Sequence, residues 1–90
     1  MSPKVNAVVN AHAILKLLSE QKDPIGVTQI ARETGVSASS TFNILKTLVD
    51  LRMVVFRDEK KSYELGPGIF ELSQNGMSNS QILSEAQPIL

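Results

Sequence analysis

Cysteine and tryptophan are both missing from this 90-residue chain, and histidine and tyrosine occur once each. The lack of cysteine excludes disulfide staples, thiolate zinc sites and thiol catalysis, and it fits a reducing compartment. His12 stands alone, with no phosphate-cradling glycine loop and no usefully spaced carboxylate pair beside it. Nothing here assembles into a catalytic site, so an enzyme, a metal site and a bound cofactor are not expected. No apolar run approaches the roughly 18 residues of a membrane span, and no signal-peptide core opens the chain. The expectation is a soluble, cytoplasmic protein with no membrane partner. A single small domain follows from the length, burying about 60–65% of its unfolded surface.

Net charge is lacking too, with nine basic residues against nine acidic ones. Its distribution is uneven. Residues 1–61 hold every Lys and Arg with six of the acids, a net +3, whereas residues 62–90 hold three acids and no base. Such asymmetry hints that one part of the chain meets a polyanion.

Periodicity supplies the architecture. Val8, Ala11, Ile14, Leu15 and Leu18 recur at steps of three and four, one face of a helix from Asn6 to about Gln21. Pro24 and Gly26 mark a turn. Val27, Ile30, Ala31 and Thr34 then describe a short second helix, with Gly26 as N-cap, Gln29 as a capping-box partner and Gly35 as the left-handed stop. Ser37 is the next N-cap, opening a third helix from Ala38 to Leu51. Its buried stripe is Thr41, Ile44, Leu45, Leu48 and Leu51; Ser39, Ser40, Phe42, Asn43, Lys46, Thr47 and Asp50 fall outside it. Residues 53–57 and 62–65 read as strands joined by the polar tip Asp58 to Lys61. Ile69, Phe70 and Leu72 point to a short helix closing over the core. A linker is expected from Gln74, followed by an amphipathic start of a linker helix that carries Ile82, Leu83, Ala86, Ile89 and Leu90. The predicted fold is mainly α with a small β-hairpin, a winged helix-turn-helix over residues 1–73, with residues 74–90 as linker and start of a linker helix.

Four stretches in order resemble the N-terminal DNA-binding domain of the IclR-type bacterial transcriptional regulators. They are AILKLL (13–18), PIGVTQIARETGVS (24–37), SSTFNILKTL (39–48) and YELGPGIFEL (63–72). Together they cover about residues 5–72. Two positions depart from the family pattern: Asn43 stands where Arg is usual, and Arg52 where the helix-to-strand corner usually has Gly. The resemblance implies a ligand-responsive regulator binding a double-stranded, palindromic DNA operator. It also implies a homodimer or higher homo-oligomer, with the first helix or residues 79–90 supplying the contact. A small-molecule effector would act through a C-terminal domain absent from these 90 residues. The final QILSEAQPIL is similar to the beginning of the family's linker helix, so a truncated form of a longer regulator is expected, with a natural single-domain protein as the alternative.

Within that frame the small first turn of the third helix has a purpose. A major groove about 12 Å wide just admits an α-helix, and the helix N-terminus approaches the base edges. Ser37, Ser39 and Ser40 leave room for that approach and offer hydroxyls to phosphate. For Ser37 alone, plain capping is the preferred role. Asn43 suits an adenine edge, Lys46 a phosphate or guanine, and Phe42 a thymine methyl or a sugar, unless a one-residue shift of helical phase tucks Phe42 into the core. Arg57, Lys60 and Lys61 in the wing would meet backbone phosphates or the minor groove, and Thr28 would cap its helix or touch phosphate. Tyr63 is expected under the wing. The competing reading is a winged-helix protein-interaction module without DNA binding, which the zero net charge favours.

Overall fold

The structure, a computed structural model, describes residues 3–76. Six elements follow one another: α1 (Asn6–Ser19), α2 (Val27–Thr34), α3 (Ala38–Asp50), β1 (Val54–Arg57), β2 (Ser62–Leu65) and α4 (Pro67–Gly76). The expected linker helix lies outside the described residues. Periodicity located α1, α2 and α3 to within two residues, and the first strand begins at Val54 rather than Met53.

The core forms where the three apolar helix stripes meet the inner face of the hairpin. Ile14 and Leu18 from α1, Ile30 from α2, and Leu45 and Leu48 from α3 are buried with Val54 and Tyr63. The strands are antiparallel, with Val54 opposite Leu65 and Phe56 opposite Tyr63. Opposed residues share a face, so these four lie on the side of the helices while Val55, Arg57, Ser62 and Glu64 lie on the other, where Ser62 is nevertheless buried. Phe56 and Tyr63 stack across the pair, ring centroids 5.0 Å apart.

Ile25, expected within a turn, adds a third short edge to this sheet. Its N–H donates to the Tyr63 carbonyl over 3.1 Å, and the Tyr63 N–H returns the bond at 2.8 Å. The start of α2 is thereby tied to the hairpin through backbone alone.

The elbow between α2 and α3 is built by its own residues. Gly35 takes φ 77°, a left-handed conformation that costs glycine little, and its N–H bonds the Ala31 carbonyl at 2.9 Å. The Thr34 hydroxyl donates to the Ile30 carbonyl and accepts from the Val36 N–H, so the bend leaves no backbone donor stranded there. Ser37 then caps α3, its hydroxyl accepting from the Ser40 N–H at 3.2 Å.

Three expectations are corrected. Gln29 closes no capping box: its side chain donates to Glu33 one turn on, and α2 has no side-chain cap. Leu51 is 59% exposed, because α3 ends at Asp50 and the chain turns before Leu51 completes the stripe. α4 does not close over the core with its apolar side chains. Phe70 and Leu72 are exposed, and its buried residue is Gly68. The helix also runs on to Gly76, through the first residues expected as linker.

Arg52 departs from the usual corner glycine, yet the corner keeps a glycine-like shape. The Arg52 N–H bonds the Val49 carbonyl and the Met53 N–H bonds the Leu48 carbonyl, both at 2.9 Å, which is a Schellman closure of α3. Arg52 adopts φ 64° to make it. Its guanidinium reaches Glu71 of α4 at 3.1 Å.

Candidate nucleic-acid interface

The capped start of α3 stands clear of the protein. Ser37, Ala38 and Ser39 are exposed, and Asn43 is exposed one turn beyond Ser39. Ser40 is half-buried, since its position in the first turn leans toward the core flanked by Thr41. The helix is thus bare on one side, where Ser39, Asn43 and Lys46 succeed each other at spacings of four and three residues. The Thr47 hydroxyl donates to the Asn43 carbonyl at 3.1 Å, leaving the Asn43 side-chain amide to other partners.

Phe42 flanks this stripe and is 50% exposed. It faces the hairpin across an open groove of about 300 Å³, lined by Phe42, Lys46, Val49, Asp50, Phe56 and Tyr63. Phe56 is itself 38% exposed. Sequence reasoning missed Phe56 as a surface residue, because strand alternation assigns it to the core face beside Val54. It lies beyond the point where α3 covers that face. Tyr63 is buried beneath the wing as expected, and burial raises its phenol above the ordinary tyrosine value.

The wing residues differ in freedom. Arg57 forms a short ion pair with Glu64 across the hairpin, so its charge is largely answered within the protein. Lys61 takes φ 50° at the end of the tip and stands 3.7 Å from Asp58. Lys60 and Lys46 make no ion pair among the described residues. Thr28 is exposed in the first turn of α2, beside the backbone bridge that joins this helix to the wing. The structure therefore brings Phe42 and Lys46 of α3 beside the hairpin across the groove.

An exposed helix presented by a glycine elbow and flanked by a hairpin defines the winged helix-turn-helix class of DNA-binding domains. The comparisons with known proteins narrow it. Residues 7–58 match the model of the IclR helix-turn-helix domain, and the chain belongs to that family. It is 28% identical over 82 residues to the HTH-type transcriptional regulator KdgR of Dickeya chrysanthemi, and equally to KdgR of Escherichia coli K12. Those matches take in 91% of this chain but only 27% and 31% of the two relatives. Among solved structures it resembles an IclR transcriptional regulator from Alicyclobacillus acidocaldarius, with TM-score 0.77 and 31% identity over 82% of this chain and 30% of that one. An IclR family regulator from Brucella abortus gives TM-score 0.77 and 26% identity over 94% of this chain and 32% of that one. These relatives are transcriptional regulators, and the described residues form a DNA-binding domain of that kind. No described helix is long and apolar enough to cross a membrane.

Proposed function

We propose that this domain binds a palindromic DNA operator as a homodimer, with α3 in the major groove and the hairpin against the flanking backbone. The observation that carries the reading is the bare, serine-capped start of α3, with Ser39 and Asn43 exposed on one face. An α-helix with side chains is about 10–12 Å across, so small residues at its tip decide how deeply it enters a groove about 12 Å wide. Asn43 offers both a donor and an acceptor to an adenine edge, a pairing that selects among sequences. Lys46, Lys60, Lys61 and the hydroxyls of Thr28, Ser37, Ser39 and Ser40 serve phosphate oxygens, which position the domain without reading sequence. Arg57 contributes less than its charge implies, because Glu64 already holds it.

One copy of a chain whose net charge is zero, with so few free cations, makes a small electrostatic contribution. Two copies on a twofold site double it, which is the argument for a dimer. Regulation by a small molecule would belong to a segment of the protein beyond these 90 residues, and the site of action would be the cytoplasm.

A salt titration tests the reading on a duplex selected from a random pool. Three lysine contacts per domain give a log–log slope of about −3 for one domain and about −5 for two. A slope near zero contradicts it.

A further inference from the structure

The groove between α3 and the wing is chemically distinct from the rest of the exposed face. Its walls are the rings of Phe42, Phe56 and Tyr63 with the Val49 side chain between them. Its two charged residues, Lys46 and Asp50, are of opposite sign. An apolar groove that leaves two phenylalanines half-exposed in water is costly unless something covers it.

We propose that this groove reads the C5-methyl group of thymine, with Phe42 and Phe56 as its two contacting walls. The inference rests on the DNA-binding reading above and names what that interface recognises beside Asn43. Phe42 is next to Asn43 in the chain, about 100° around the helix, so a base edge reached by Asn43 brings the neighbouring step toward the groove. Among the groups that base pairs present in the major groove, the thymine methyl is the apolar one; the others are hydrogen-bond donors and acceptors. Phosphate is a poor occupant of the space between Phe42 and Phe56, since the Asp50 carboxylate repels it and the two phenylalanine rings offer it no donor. The deoxyribose is disfavoured with it, being tethered to phosphate on both sides. Lys46 at the rim supplies the attraction that keeps the duplex close, while the methyl supplies the apolar surface that covers the rings. Phe56 thereby ties the wing to base reading, a role separate from the backbone contacts of the lysines at its tip.

The test uses the 90-residue chain and a duplex recovered by selection from a random pool. Each thymine in turn is replaced by deoxyuridine, which removes the methyl and leaves every hydrogen-bonding group in position. Binding is expected to weaken about fourfold at one or two thymines, the worth of one buried methyl, and to be unchanged at the rest. In Phe42→Ala that thymine-to-uracil ratio is expected to fall to one, and in Phe56→Ala to fall partway. A ratio is read within each variant, so a general loss of affinity does not obscure it. Indifference of the wild-type chain to every replacement overturns the proposal while leaving DNA binding intact. So does a ratio that survives both substitutions. Failure to bind any duplex at low salt overturns the DNA-binding reading, and this proposal with it.

Discussion

The backbone N–H of Gly68 donates to the carbonyl of Arg52 across 2.7 Å, joining the first turn of α4 to the corner that closes α3. A Cβ on Gly68 would lie 2.7 Å from that oxygen and 2.9 Å from its carbon. α4 is thus seated on the C-terminal end of α3, through a contact only glycine permits. Gly68→Ala is expected to lower stability by about 1–3 kcal/mol, as overpacking against backbone does. Urea unfolding measures it. An unchanged midpoint would mean that α4 shifts off the corner freely.

Arg52 pays for the same corner with its own conformation. A left-handed residue other than glycine costs about 1–2 kcal/mol. The exposed Arg52–Glu71 ion pair returns no more than about 1 kcal/mol of this. Arg52→Gly is therefore expected to raise stability by up to about 1 kcal/mol in a thermal or urea melt. A loss of stability would show that the ion pair, or packing of the arginine stem, outweighs the backbone strain.

Thr41 sits at the centre of the core, fully buried, and its hydroxyl has no hydrogen-bond partner among the described residues. The Ser37 carbonyl one turn back, which a helical threonine often uses, receives the Thr41 backbone N–H. An unpaired buried hydroxyl costs about 1–3 kcal/mol, and valine fills nearly the same volume without it. Thr41→Val is expected to stabilise the domain by about 1 kcal/mol. If it destabilises instead, a buried water pairs with that oxygen.

Tyr63 is the single tyrosine, so phenolate absorbance reports on it alone. Burial holds its phenol above the value near 10 found in an unfolded chain. The unfolded state releases this proton first as pH rises. The Tyr63 contribution is therefore fully present below about pH 10 and is lost as pH climbs through the folded-state value. The expected titration midpoint is above that of free tyrosine, with unfolding following it; a midpoint at or below the free value contradicts the burial.

The sequence made much of this legible because its signals were local. Gly35, Ser37 and the alternation of polar and apolar residues each act over a few neighbours, and they produced the expected turn, cap and most of each stripe, Val8 at the start of α1 and Leu51 past the end of α3 being exposed. What stayed hidden depends on distant partners. Ile25 pairs with Tyr63 as a single residue, too short to leave a period. Leu51, Phe70 and Leu72 have the spacing of buried residues, but no element covers them among the described residues. Arg52 as a residue type does not favour a left-handed backbone, and only the glycine usual at that corner pointed to one; the corner is imposed by α3, β1 and α4 together. The exposed stripe of α3 was visible as the set left over from the core, whereas the Phe42–Phe56 groove needed the wing in position beside α3.

The most direct measurement concerns Ser39, which is exposed and adds no charge. Ser39→Leu keeps every ionic contact and suits a helix, yet adds bulk at the tip that the account brings against the duplex. The expected result is an unchanged unfolding midpoint with at least about a tenfold loss of affinity for the selected duplex, or roughly 1.4 kcal/mol. Unaltered affinity in a folded Ser39→Leu variant would contradict the account, because it would mean that the tip of α3 does not meet DNA.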